Sequence, residues 1–110
     1  MKERILTNIE PEQVFKYFED LTFIPRESGN ERAVSDYLVS FAQAHGLEYV
    51  QDEALNVMIF KPASPGYEEH PGVILQAHMD MVCEKNSDVQ HDFMTDPIQT
   101  YIDGEWLKAK

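Results

Sequence analysis

The chain has 110 residues, of which 43% are hydrophobic and 11% aromatic, and its formal net charge is −11. This length suits one domain with a modest core, and the apolar content argues against intrinsic disorder. The acidic balance argues against nucleic-acid binding, and no apolar run is long enough to cross a membrane. A charged start unlike a signal peptide and a single cysteine together predict a cytoplasmic protein.

Two amphipathic helices are predicted in the first half of the chain. The first opens at Pro11-Glu12, where proline suits the first turn and the acid favours the positive end of the helix dipole. Pro25 disfavours helix at the residue before it. The second helix ends at Gly46, which suits a left-handed C-terminal cap. The predicted core-facing residues are Val14, Phe15, Phe18 and Leu21 in the first helix, and Val34, Tyr37, Leu38, Phe41 and His45 in the second.

The loop between these helices, residues 26–31, contains two candidate caps for the second helix. Ser28 with Glu31 fits a capping box, in which each side chain bonds a backbone N–H of the other residue. Asn30 is an alternative N-cap. Both alternatives are open at the level of the sequence.

The rest of the chain alternates short strands with polar loops. The predicted strands are residues 48–51, 56–60, 73–77, 98–102 and 105–109. Asp103-Gly104 is a strong hairpin signal between the last two of these strands. Residues 62–71, which contain three prolines, and the polar residues 84–96 are predicted to be surface loops.

The apolar run that begins at Val73 predicts a buried central strand, and it leads into His78 and Asp80. Side chains two apart on an extended chain point to the same side, so these two would project together. A histidine at the end of a strand beside a carboxylate matches how metal sites pair a ligand with an orienting group. The plainer interpretation is a polar strand boundary followed by a loop. Spacing alone leaves both interpretations open, because His-x-Asp is a short pattern.

Three other groups have site-like chemistry but a simpler structural interpretation. His45 could be a ligand, but in the last helical turn it also suits the negative helix end or solvent. Glu68-Glu69-His70 lies in a polar loop without supporting residues and is interpreted as a solvated charge cluster. Cys83 could be a nucleophile or a thiolate ligand, but a small residue beside a strand end is the commoner case.

The order of elements predicts an α/β fold in which helices pack on a mixed β-sheet. Parts of this chain resemble the aminoacyl-histidine dipeptidases, the Xaa-His (β-alanyl-histidine) branch of the M20 zinc metallopeptidases. The similar segments are residues 24–31 (IPRESGNE), 56–57 (NV), 75–85 (LQAHMDMVCEK), 96–98 (DPI) and 103–109 (DGEWLKA). The run HMDMVCEK is specific to that branch, whereas His-x-Asp alone marks only the wider clan.

The resemblance implies that His78 is a zinc ligand and that Asp80 belongs to the catalytic site, as the carboxylate that accepts a hydrogen bond from His78. It also implies hydrolysis of Xaa-His dipeptides by a site with two zinc ions, with cobalt or manganese as alternative metals. Residues 1–110 would form an incomplete N-terminal segment of a zinc-peptidase-like catalytic domain, because the family's other ligands and general base lie beyond Lys110. We therefore expect the isolated chain to be inactive.

Two other functions stay open. One is a related M20 amidohydrolase or deacylase, in which the same His78 and Asp80 serve a different acyl substrate. The other is a non-catalytic acidic α/β module that binds a partner through an exposed sheet edge. An incomplete segment of the catalytic domain would leave sheet edges and apolar surface exposed, so we expect self-association, a homo-oligomer or a partner chain.

Overall fold

The computed structural model describes residues 3–110, which contain two helices followed by four short strands. The helices are α1 (Glu12–Thr22) and α2 (Arg32–Ala44), and the strands are β1 (Glu48–Gln51), β2 (Val57–Phe60), β3 (Thr100–Asp103) and β4 (Trp106–Ala109). The α/β class, both helices and both strand pairs are confirmed. Gly46 follows α2 with a φ of 63°, the predicted left-handed conformation. Neither described helix is long and apolar enough to cross a membrane.

The strands lie in two separate antiparallel sheets of two strands each. β1 pairs with β2, and Gln51 opposite Val57 closes that hairpin. β3 pairs with β4, and Asp103 opposite Trp106 flanks the predicted Asp-Gly turn. The only parallel contact in the described part of the chain is an isolated bridge between Glu27 and Met81. A mixed sheet combines parallel and antiparallel pairing, and in the described residues the parallel pairing is limited to that bridge.

Helix α2 packs against the β1–β2 hairpin, and Val34 and Ala42 of this helix are buried. The third buried apolar residue among those described is Leu6, which precedes α1. Ser35 is also buried; its hydroxyl donates to the Leu55 carbonyl at 2.8 Å and accepts from the Gln51 side-chain amide at 2.8 Å. Because its polar atoms are paired, Ser35 is buried without the penalty of an unsatisfied hydroxyl. These contacts set the position of the helix on the hairpin.

Helix α1 contacts α2 through an aromatic pair and through a hydrogen bond that the Tyr37 hydroxyl donates to Asp20 at 3.0 Å, and it leaves part of its apolar face uncovered. The Tyr17 ring meets Phe41 edge-on, with 5.3 Å between the ring centroids. Val14 and Phe18 are 61% and 48% exposed, so the prediction that they face the core is wrong. The helical period correctly identifies an apolar face. It does not determine how much of that face another element covers: here Phe15 and Leu21 are half-buried, whereas Val14 and Phe18 are exposed.

The start of α2 differs from both predicted caps. Its N-cap is Glu31, and no side chain makes a capping hydrogen bond there. The Ser28 hydroxyl donates to Asp80 instead, while the Glu31 carboxylate accepts from the Gly29 amide at 2.7 Å. The chain turns at Gly29 (φ 92°) before the helix begins, which separates Ser28 from the helix N-terminus. The Ser28 side chain therefore bonds Asp80, which is distant in sequence, and does not form the predicted capping box.

The predicted buried central strand is wrong for the described chain. Residues 71–80 have no regular secondary structure, and Val73, Ile74 and Leu75 are 83%, 91% and 93% exposed. The composition is that of a buried strand, but a strand exists only where neighbouring backbones complete its hydrogen bonds and other layers cover its faces. No described strand pairs with residues 73–78. The apolar side chains therefore remain in solvent.

Candidate metal-binding site

The site begins where the loop after α1 meets the segment that follows the exposed apolar run. The Met81 amide donates to the Arg26 carbonyl at 2.8 Å, and the Ser28 amide donates to the Met81 carbonyl at 3.2 Å. These two bonds flank Glu27 and form the parallel bridge to Met81. They bring Ser28 beside Asp80, although the two residues are 52 positions apart in the chain.

His78 and Asp80 form the hydrogen bond that the resemblance implies. Nδ1 of His78 lies 2.8 Å from Oδ1 of Asp80. The His78 side chain is 79% exposed and that of Asp80 31% exposed, so the pair faces open solvent. Among residues 3–110, no hydrogen bond is found for Nε2 of His78. The imidazole is thus held through one nitrogen while the other is accessible.

Ser28 is a site residue that sequence reasoning missed. Its hydroxyl donates to Oδ2 of Asp80 at 2.5 Å, so each carboxylate oxygen of Asp80 has one partner. The sequence around Ser28 favours a helix cap, and nothing in that local pattern points to Asp80. The only available signal is that IPRESGNE is among the segments that resemble the dipeptidases.

The two hydrogen bonds have an electrostatic consequence for Asp80. The bond from Ser28, followed by that from His78, lowers the pKa of the Asp80 carboxyl below its ordinary value. Hydrogen bonds donated to a carboxylate favour its charged form. An ionised Asp80 can only accept, so Nδ1 of His78 must carry the proton in this contact. The lone pair of a neutral imidazole is then on Nε2, the nitrogen that faces solvent.

The residues present fit one part of a metal site. Imidazole nitrogen is a good ligand for zinc, and a carboxylate partner on the other ring nitrogen is the usual way to orient it. No group of three or more His, Cys, Asp or Glu side chains within residues 3–110 is arranged to hold a metal ion. His78 therefore suits a single ligand, and Asp80 suits its partner. Their roles in metal binding stay a prediction.

The other sequence candidates have ordinary structural partners. Nδ1 of His45 lies 2.9 Å from the Phe41 carbonyl, and the two rings are in contact at the end of α2. His70 stacks near Tyr67 in an exposed loop. Cys83 is half-buried, and burial raises the pKa of its thiol, which disfavours a reactive thiolate. These positions support the structural interpretations made from sequence.

Comparison with known proteins gives the class of this chain. No protein-family model matches it. The cytosol non-specific dipeptidase of Escherichia coli (strain K12) is 43% identical over 105 residues, which cover 96% of this chain and 22% of that protein. The crystal structure of aminoacylhistidine dipeptidase from Vibrio alginolyticus matches with a TM-score of 0.90 and 44% identity, covering 98% of this chain and 22% of that one. A probable carboxypeptidase of Emericella nidulans is 32% identical over 69 residues, 57% of this chain and 16% of that protein.

These relatives are peptidases, so the predicted enzyme class, hydrolases that act on peptide bonds, is confirmed at the level of the family. More narrowly, the chain is similar in sequence and in fold to a segment of the aminoacylhistidine dipeptidase, and it belongs to that dipeptidase family, as the resemblance predicted. It spans about a fifth of the length of the two dipeptidases that it matches, 22% in each case.

Proposed function

We propose that this chain is the part of a dipeptidase that contributes the zinc ligand His78, and that the whole enzyme hydrolyses Xaa-His dipeptides with two zinc ions. The observation that carries the proposal is the hydrogen bond from His78 Nδ1 to Asp80, which leaves Nε2 accessible. The names of the relatives, a non-specific dipeptidase and an aminoacylhistidine dipeptidase, support dipeptides as the substrate class.

The described residues have defined tasks in this mechanism. His78 would hold a metal ion through Nε2, and Asp80 would keep the Nδ1 proton in place and raise the basicity of the ligand nitrogen. A zinc ion bound there would supply Lewis acidity toward the scissile carbonyl and toward a water molecule. Nothing between residues 3 and 110 is arranged to complete the metal coordination. We therefore propose that these residues alone are inactive.

A related deacylase is the second enzymatic candidate, because the same ligand pair would serve a different acyl group. The names of the relatives favour the dipeptidase, since both well-covered matches are dipeptidases. We also propose a cytoplasmic location, which is supported by the single cysteine and by the cytosolic name of the Escherichia coli relative.

The exposed apolar segment supports a proposal about association. Val73, Ile74 and Leu75 place three consecutive apolar side chains and an unpaired backbone in solvent. Such a segment can add to the edge of another sheet. We propose that the chain self-associates through it. A non-catalytic interaction module would use the same segment, which makes it the third functional candidate.

A chimeric enzyme tests the catalytic proposal. These residues would replace the matching segment of the Escherichia coli dipeptidase, and hydrolysis of β-alanyl-histidine would be measured with and without His78→Ala. We expect an active chimera in which His78→Ala removes activity and one bound zinc ion, measured by metal analysis. His70→Ala changes another exposed histidine and is the matched control. A folded His78→Ala chimera with unchanged activity and metal content would contradict the proposal.

A further inference from the structure

Each carboxylate oxygen of Asp80 has a hydrogen-bond partner, His78 at one and Ser28 at the other. Nδ1 of His78 lies 2.8 Å from Oδ1, and the Ser28 hydroxyl donates to Oδ2 at 2.5 Å. We propose that Ser28 is a positioning residue: it holds Asp80, and through Asp80 it keeps His78 in the Nδ1–H tautomer with Nε2 directed outward. The value of this arrangement for metal binding rests on the function proposed above.

The backbone of Ser28 is held by hydrogen bonds other than the one that its hydroxyl makes with Asp80. Its amide donates to the Met81 carbonyl at 3.2 Å, and the neighbouring Asn30 amide closes a turn onto the Glu27 carbonyl at 2.7 Å. A side chain on a turn fixed at both ends loses little further freedom when it makes a hydrogen bond. Ser28 is therefore a pre-positioned donor for Asp80.

The turn that carries Ser28 is also tied to both helices. On one side, the Arg26 guanidinium donates to the Leu21 carbonyl near the end of α1. On the other side, the Gly29 amide donates to the Glu31 carboxylate at the start of α2. Because this turn is bonded to both helices, the Ser28 hydroxyl is held in a fixed place relative to them, and Asp80 bonds to it there. This is how an otherwise irregular segment can hold a defined side-chain geometry.

The exposure of the pair explains why such a donor matters. With His78 79% and Asp80 31% exposed, packing alone does not hold either side chain, and water competes for the carboxylate. A neutral imidazole can carry its proton on either nitrogen, and the hydrogen-bond partner decides which one. The bond from Ser28 occupies Oδ2 of Asp80, so that Oδ1 is the carboxylate oxygen that faces Nδ1 of His78.

The alternative is that Ser28 only stabilises the turn. In that case its removal would change stability but would leave the His78 tautomer as it is. The two interpretations therefore differ in a property of the imidazole that can be measured without any enzymatic activity. Thr at this position would restore the hydroxyl, whereas Ala would remove it.

Nitrogen NMR of the 110-residue chain, labelled with ¹⁵N-histidine, tests the proposal at a pH where imidazole is neutral. His78→Ala assigns the signal among the four histidines. In the unaltered chain we expect His78 mainly as the Nδ1–H tautomer. Ser28→Ala should shift it toward a mixture of tautomers, and Ser28→Thr should restore it. Ser40→Ala, which changes an exposed serine on α2, should have no effect.

Zinc titration followed on the same signals gives a second readout. We expect Ser28→Ala to weaken zinc binding at His78 by about threefold to tenfold, below the 10- to 100-fold typical of the residue that contacts the ligand directly. If zinc does not bind His78 even in the chimeric enzyme, the proposed function fails, while a tautomer shift in Ser28→Ala still supports the positioning role. An unchanged tautomer in folded Ser28→Ala overturns that role. Should this variant not fold, Ser28→Cys, which keeps the volume with a weaker donor, replaces it under the same criteria.

Discussion

The buried carboxylate of Glu19 accepts a hydrogen bond from the backbone amide of Ile5 at 2.7 Å. The same oxygen accepts the amide of Leu6 at 3.2 Å, and Leu6 is itself buried. One side chain of α1 thereby anchors the segment that precedes the helix. The Arg4 guanidinium lies 3.7 Å from the other oxygen and adds a favourable charge. The segment before α1 is therefore part of the packed structure.

Glu19→Ala should destabilise the chain strongly, because two backbone N–H groups would lose their acceptor in a buried place. We expect a loss of about 2–4 kcal/mol in the free energy of unfolding, measured by urea denaturation. Glu53→Ala, at an exposed turn, is the control and should change stability by less than about 0.5 kcal/mol. Equal effects of the two substitutions would show that the Glu19 contacts do not stabilise the fold.

Because of Tyr37, the free energy of unfolding should fall as the pH rises above about 10. Burial, together with the hydrogen bond that its hydroxyl donates to Asp20, raises the pKa of Tyr37 to about 12. Because the unfolded value is near 10, the folded state holds the proton more tightly. The stabilisation is complete below about pH 10 and is lost as the pH rises toward 12.

Tyr37→Phe isolates this effect. The difference in unfolding free energy between the unaltered chain and the variant should shrink as the pH rises from about 10 to 12. Urea denaturation at a series of pH values measures it. Tyr67→Phe, which changes an exposed tyrosine, should give a difference that does not vary with pH. A pH-independent difference for Tyr37→Phe would argue against the raised pKa.

Self-association should depend on the exposed apolar segment and on salt. We expect sedimentation velocity to show a concentration-dependent species larger than the monomer, and more of it at higher ionic strength, because salt screens the net charge of −11. Leu75→Lys, which charges a side chain that is 93% exposed, should shift the equilibrium toward monomer. Gln90→Lys adds the same charge elsewhere on the surface and controls for net charge. A monomer at all concentrations and salts would refute the association.

The 110-residue chain should not hydrolyse β-alanyl-histidine, with or without added zinc. Within residues 3–110 there is no group of three His, Cys, Asp or Glu side chains placed to hold a metal, and a catalytic zinc takes three protein ligands. Release of histidine, measured by chromatography, checks this, with the active chimera as the positive control. Activity that is lost in His78→Ala would disprove the prediction, because it would have to come from this site.

Local patterns were sufficient for the helices, the hairpins and the candidate ligand pair. The helical period, Pro11 at the start of α1 and Gly46 after α2 act within a few residues, and so does the Asp-Gly turn between β3 and β4. His78 and Asp80 are two apart, so their contact also depends mainly on local geometry. The family resemblance then supplied the chemistry that spacing alone left open.

Contacts between distant segments decided the rest. Ser28 looks like a helix cap in sequence, yet two backbone bonds to Met81 place it on Asp80, and no local pattern encodes a pairing across 52 positions. Val73 to Leu75 have the composition of a buried strand, yet burial requires partner strands and covering layers, and these residues are exposed. By itself the sequence determined the two helices, the two hairpins, the resemblance and the ligand pair. Only the tertiary structure decided what covers each apolar face and which donor holds Asp80, because both depend on surfaces that meet in space.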